Sequence, residues 1–315
     1  MKNFADNLIK EIKKKKSHVV VGLDPDYDKL PQRLKKASVV SMKGIGAAIT
    51  EFNRELIDAV YEFVPAVKPQ IAFFERYGIE GIKAFVETIE YAKKKELIVI
   101  EDAKRNDIGS TAIAYSEGHI GKVKLATHNV AIFDVDAITV NPYFGADGIN
   151  PFLSDVSKYG KGIFVLVKTS NQSSKDLQDL EVLDKGKRLK LYEMVARLVD
   201  KWGSTSVGNS TYSSVGAVVG ATFPKEAKRL RKLMPHAYFL VPGYGAQGGN
   251  AADIANFFNK DGYGALIAAS RSINYAFKNG RIFKDSEFAQ AARVAVIQMN
   301  TEINDELQKT GLLQW

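Results

Sequence analysis

The densest group of chemistry-bearing side chains in this 315-residue sequence is the run Asp102–Ala103–Lys104–Arg105–Asn106–Asp107. If an extended strand continues through it, Asp102 and Lys104, two residues apart, point the same way. Lys68, carried by the neighbouring apolar run, can lie beside them. Together they would form an alternating array of ammonium and carboxylate in a partly buried site, where opposite charges keep one another ionised. The bland alternative is a surface salt-bridge cluster. A second group is Pro242–Gly243–Tyr244–Gly245–Ala246–Gln247–Gly248–Gly249, followed later by Ser270–Arg271–Ser272. Glycines let backbone N–H groups approach an anion. Arg271 opens a turn where a helix N-terminus and a guanidinium can both face phosphate oxygens. Otherwise the glycines only make a tight turn and Arg271 sits in a surface pair.

Other chemistries are excluded by composition. The chain has no cysteine, so disulfides, thiol nucleophiles and thiolate metal sites are out. His18, His119, His128 and His236 are scattered and form no HxH or HExxH pair, which argues against a histidine-built metal site. The formal net charge of +8 allows a nucleic-acid binder. The lysines are dispersed without interleaved aromatics, however, so a solvated surface that helps attract a small anion fits better. No segment approaches the roughly 20 apolar residues of a membrane span. The first sixteen residues read as an amphipathic helix with a lysine tail, lacking the apolar core of a signal peptide. A cytoplasmic protein is expected.

The elements that must position these groups follow from the pattern of apolar runs. Eight short runs recur: 18–24, 66–73, 97–102, 137–141, 162–169, 216–222, 238–242 and 264–270. They are almost continuously apolar, as strands buried on both faces of a parallel sheet must be. Helical periodicity fills 41–63, 79–95, 108–122, 189–202, 224–233 and 251–258, and 288–308 closes the chain. Eight alternations of strand and helix predict a single-domain (β/α)8 barrel, with an N-terminal helix over 2–16. A doubly wound open sheet is the competing architecture, but no glycine-rich dinucleotide fingerprint follows the first strand. The segment 170–214 is polar, then helical, then polar again, and is long for a βα unit. It reads equally as a functional loop or as a decorative insertion. In such barrels the active site forms at the C-terminal strand ends, and phosphate is most often held after strands 7 and 8.

At these residues the chain resembles the orotidine 5′-phosphate decarboxylases. The resemblance rests on DAKRND followed by IGST at 108–111, in company with VGLDP at 21–25, AVKPQIAFFE at 66–75, VNPYFG at 140–145, KTSN at 168–171, PGYGAQGG at 242–249 and SRSI at 270–273. The AFFE, NPY and TSN wording is most similar to the longer-chain bacterial subgroup. The resemblance implies conversion of orotidine 5′-monophosphate to UMP and CO2 without cofactor or metal. It casts Lys68, Asp102, Lys104 and Asp107 as the charged catalytic tetrad, with Lys104 protonating a C6 carbanion. It further implies a homodimer in which Asp107 and Thr111 enter the partner's site. Asp24 would bind a ribose hydroxyl, Ser170 the pyrimidine amide edge, and Gln247 and Arg271 the phosphate. The segment after strand 5 would close over the base. Three departures stand out: Arg105 and Asn106 match no role in the family, Pro69 directly after Lys68 predicts a kinked strand end, and Ser270 stands where many relatives have glycine. A sister group of Mg2+-dependent keto-sugar-phosphate decarboxylases and aldolases shares D-x-K-x-x-D but has a metal-binding acid where Lys68 stands. A non-catalytic basic RNA-binding barrel is the remaining alternative.

Overall fold

A computed structural model describes residues 3–37, 41–245, 248–249, 251–278 and 282–315. The eight apolar runs become β1 (Val19–Leu23), β2 (Ala66–Pro69), β3 (Ile98–Arg105), β4 (Ala137–Val140), β5 (Gly162–Lys168), β6 (Ser213–Val219), β7 (Ala237–Pro242) and β8 (Ala265–Ala269). Each pairs in parallel with its sequence neighbours, and β1 also pairs with β8, so the sheet closes on itself. β1, β2, β4, β6 and β8 are buried along their whole length, which is why they read as unbroken apolar runs rather than alternations.

The longer helices are α1 (Phe4–Lys15), which does not cover the sheet, and the covering helices α2 (Met42–Val60), α3 (Gly78–Lys94), α4 (Gly109–His119), α5 (Ala146–Tyr159), α6 (Leu191–Gly203), α7 (Pro224–Leu233) and α8 (Phe288–Lys309). Among the described residues, no helix is long and apolar enough to cross a membrane. α2 is started by Ser41, whose side chain accepts from the Gly44 N–H, and it buries Ile49, Phe52, Leu56 and Val60 on one stripe. Phe52 stacks on Phe288 of α8 with ring centroids 5.1 Å apart, joining the first covering helix to the last.

The barrel has two distinct cores. One lies between strands and helices. The other fills the barrel interior with Val20, Ile98, Ile100, Phe164, Tyr238 and Leu266, and α1 belongs to it. Phe4 meets Phe164 edge-on at 5.9 Å, and Gly162 leaves the room that Phe4 occupies. α1 thus plugs the N-terminal mouth of the barrel. The opposite mouth, where the strand C-termini emerge, is left open.

Three features depart from expectation. α5 falls in a stretch with no helical periodicity assigned, because Pro151 sits inside it and Gly145, Gly148 and Asn150 give the sequence a loop-like composition. The 170–214 segment is more ordered than its polarity suggests. It holds three short helical turns, an antiparallel hairpin of Glu181–Asp184 with Lys187–Lys190, and α6. Lys185 and Gly186 both have positive φ, 49° and 78°, as a two-residue hairpin turn requires. Finally, the helical pattern over 251–258 resolves into one short helix, Ala251–Ile254, and a 3-10 turn, Ala255–Phe257.

Candidate active site

The open mouth contains a cavity of about 510 Å3. Its wall takes one residue or more from most of the strand ends: Asp24 after β1, Lys68 in β2, Asp102 and Lys104 in β3, Ser170 after β5 and Arg271 after β8.

At the centre is the Asp102 carboxylate. Lys68 Nζ donates to Oδ2 at 2.9 Å, and Lys104 Nζ donates to Oδ1 at 2.6 Å. Lys68 is 5% exposed. Pro69 does not throw it out of line, because Pro69 keeps its register opposite Leu23 of β1. Burial alone would raise Asp102, but the Lys68 and Lys104 ammoniums outweigh it and hold the carboxyl well below the usual range. Lys68 is pulled down by burial and raised more strongly by Asp102 and Asp24, so its ammonium stays charged. The expected alternating array is therefore assembled, around an ionised Asp102 and a charged Lys68.

The reason Asp102 and Lys104 face one another is not the expected strand alternation. β3 pairs with β4 in register at Glu101 and Ile138, and next at Arg105 and Val140. Four steps on β3 match two on β4, so residues 102–104 bulge out of the ladder. Lys104 takes a left-handed backbone, φ 52°, which a non-glycine residue seldom adopts. The sequence reading also missed Thr139. Its Oγ1 donates to Asp102 Oδ1 at 3.0 Å and accepts from the N–H groups of Ala103 and Lys104 at 3.0 and 2.9 Å. The available signal was a lone hydroxyl in the apolar run AITVN.

Arg105, which had no assigned role, turns away from the cavity. It pairs with Glu75 at 2.6 Å and lies over the Tyr115 ring, bracing the end of β3 against the chain after β2.

Asp24 is raised by burial, against the pull of Lys68. Its Oδ1 is buried and has no hydrogen-bond partner among the described residues. The Tyr275 hydroxyl donates to the Asp24 carbonyl at 3.0 Å and accepts from the Asp26 N–H at 2.8 Å, fixing this turn. Gly22 has no Cβ because one would overlap the Ser270 hydroxyl. That close approach is how a serine fits ahead of Arg271.

Ser170 sits half-buried where Gly220, just past the end of β6, approaches it so closely that a Cβ there would overlap it. Gln178, not anticipated, lines the cavity and returns two bonds to Thr169, accepting from its N–H at 2.9 Å and donating to Oγ1 at 2.8 Å. Arg271 is exposed at the first position of the helix Arg271–Asn274 and forms no ion pair among the described residues. In the glycine loop, Gly243, Gly245 and Gly248 adopt φ of 95°, 67° and 96°. The N–H groups of Gly245, Gly248 and Gly249 donate within the loop, to Gly249, Gly245 and Gly243 carbonyls. They are not aimed at an anion as the sequence suggested. Gln247 lies outside the described residues.

Asp107 and Thr111 do not line this cavity. Asp107 accepts from the N–H of Ile108 at 2.8 Å, and Thr111 is exposed on α4. Ile108 and Ile113, beside them, are large apolar side chains 52% and 48% exposed. Among the described residues no group of three or more His, Asp or Glu side chains is placed to hold a metal ion.

Comparison with known proteins adds four findings. Residues 17–280 match the model of the orotidine 5′-phosphate decarboxylase / HUMPS family. The chain is 43% identical over 311 residues to an orotidine 5′-phosphate decarboxylase of Caldicellulosiruptor saccharolyticus, covering 96% of this chain and 99% of that one. It is also 43% identical over 307 residues to one of Rhodopirellula baltica, again with 96% and 99% coverage. Among solved structures, Leishmania donovani OMP decarboxylase superimposes with a TM-score of 0.72 at 34% identity, covering 96% of this chain and 98% of that one.

Proposed function

Since this chain belongs to the orotidine 5′-phosphate decarboxylase / HUMPS family, we propose that it converts orotidine 5′-monophosphate into UMP and CO2 in pyrimidine nucleotide synthesis, unaided by cofactor or metal. The observation that carries this reading is the contact chain Lys68–Asp102–Lys104 at the barrel mouth.

The substrate carboxylate is set beside the ionised Asp102. Two like charges in a poorly solvated site disfavour the bound carboxylate relative to the transition state, in which that charge moves away. The C6–carboxylate bond breaks, CO2 leaves, and the electron pair stays on C6. The Lys104 ammonium lies on the same face, stabilises the carbanion and donates its proton. Lys104 then recovers a proton from solvent. Lys68 keeps Asp102 oriented and charged. Asp24, with its unpartnered buried Oδ1, suits a ribose hydroxyl. Arg271 suits the phosphate, together with Gln247. Ser170 meets the amide edge of the base, and the segment after β5 closes over it. Binding energy from the phosphate can then hold the reacting end in place.

A homodimer completes the site. Asp107 and Thr111 lie outside their own chain's cavity, beside exposed Ile108 and Ile113, and this placement supports a second copy against α4 that receives both residues. A multiply charged nucleotide does not cross bilayers unaided, which fits a cytoplasmic location.

The Mg2+-dependent keto-sugar-phosphate chemistry of the sister group requires an acid where Lys68 stands. A buried ammonium there repels a divalent cation. A basic RNA-binding barrel would leave the charged array without a purpose. The test is the loss of orotidine 5′-monophosphate absorbance with purified protein in EDTA. Steady turnover is expected, and no turnover would sink the reading. Turnover that EDTA stops would favour the metal-dependent alternative.

A further inference from the structure

The bulge that carries Asp102 and Lys104 leaves two backbone donors, the N–H groups of Ala103 and Lys104, without ladder partners on β4. Backbone donors that leave a ladder still take a partner, from a side chain or from water. Here one side-chain atom serves both. The Thr139 hydroxyl accepts from each N–H and gives its single proton to Asp102 Oδ1. A hydroxyl offers one donor and two acceptor lone pairs, so its capacity is fully used. Thr139 is 1% exposed in the middle of a buried strand, with its β-branched side chain held to few rotamers. Nothing else among the described residues bonds both N–H groups.

We propose that Thr139 is a positioning residue for decarboxylation. Its hydroxyl holds the 102–104 bulge in the one backbone conformation that turns the Lys104 ammonium onto Asp102 and toward the reacting carbon. Thr139 lines the cavity floor but acts through these two side chains. The consequence falls on the chemical step. Contacts expected for ribose and phosphate lie on β1 and beyond β7 and β8, and the bulge does not reach them. Displacement of a reacting group by about 1 Å can cost on the order of a hundredfold in rate.

The kinetic arm rests on the decarboxylase reading, and a second arm does not. Thr139→Val keeps the shape and removes the hydroxyl, while Thr139→Ser keeps the hydroxyl. With orotidine 5′-monophosphate as substrate, Thr139→Val should lower kcat about 100-fold or more while KM moves only a few-fold. Thr139→Ser should recover kcat to within about tenfold of the original. In parallel, amide hydrogen exchange over residues 102–105 should be slow in the unaltered protein, fast in Thr139→Val and slow again in Thr139→Ser. If Thr139→Val does not fold, Thr139→Cys, of similar volume and with a poor acceptor, takes its place. Three results would overturn the proposal: unchanged kcat in the Val variant, equal losses in Val and Ser, or unchanged amide protection in the Val variant. An unaltered protein that fails to turn over the substrate would count against the function, while the exchange pattern still decides the role of Thr139.

Discussion

Lys168, the last residue of β5 and wholly buried, places Nζ 2.6 Å from Asp179 Oδ1 across the base of the segment that follows the strand. The ammonium also reaches Ser174 Oγ at 3.4 Å and sits over the Phe223 ring, 4.4 Å from its centroid. The pair, together with the Gln178–Thr169 bonds, closes residues 169–179 into a small loop beside the cavity. Ser170, the expected contact to the pyrimidine, is on that loop.

Asp179→Asn strands the buried ammonium without a full countercharge. Asp179 is 38% exposed, so the loss stays below that of a deeply buried pair. About 1.5–3 kcal/mol of stability should go, read by denaturant unfolding. KM for the nucleotide should rise more than kcat falls, since the loop bears on the base and not on Lys104. A variant with unaltered stability and KM would show that the pair does not hold the loop.

Lys104→Ala should abolish measurable decarboxylation, a loss of at least about a thousandfold, because it removes both the charge that meets the carbanion and its proton source. The Lys104 side chain is 45% exposed. Its removal should therefore leave the melting temperature within a few degrees of the parent. Residual turnover within tenfold of the parent would remove Lys104 from the chemistry.

Shared sites make a mixing experiment decisive. Lys104→Ala and Asp107→Ala chains should each be nearly inactive alone. In a mixed dimer one site pairs an intact Lys104 with an intact Asp107 from the other chain. Up to about a quarter of full activity should return on random subunit exchange, since half of the dimers are mixed and each has one intact site. Complete failure of the rescue in verified heterodimers would place Asp107 in its own chain's site.

His18 offers a test remote from catalysis. It is buried below the barrel, 4.8 Å from the Phe258 ring and 5.1 Å from that of Trp315. Burial pushes its imidazole down to about 3. The unfolded chain binds this proton near pH 6.5 and the folded chain does not, so stability falls as pH drops from about 6.5 toward 3. At pH 4.5 this one group should cost about 2–3 kcal/mol relative to pH 7. His18→Phe should abolish that part of the acid loss in urea unfolding at the two pH values. Parallel losses in variant and parent would show that His18 charges freely in the fold.

The residues of the candidate site are largely legible in the sequence, and for a physical reason. Strands buried on both faces must be apolar throughout, so their ends are marked wherever charge resumes, as at Asp24, Lys68, Asp102 and Lys168. α5 and the hairpin at 181–190 were not legible. Their local signals, Pro151 inside the helix and a polar composition in the hairpin, point to loop, and tertiary packing overrides them.

By its own pattern, then, the sequence determined the barrel, the chain order of its strand ends, and the charges that could gather at its mouth. These depend on residue type and short-range spacing alone. Tertiary structure decided how Asp102 and Lys104 come to face each other, through a bulge pinned by Thr139 on the next strand. It also decided that Lys68 closes on the same carboxylate, that Asp107 stays out of its own cavity, and that Lys168 is spent on Asp179. Each of these is a matter of register or contact between segments separate in the chain. The spacing of residues within any one segment carries no record of it.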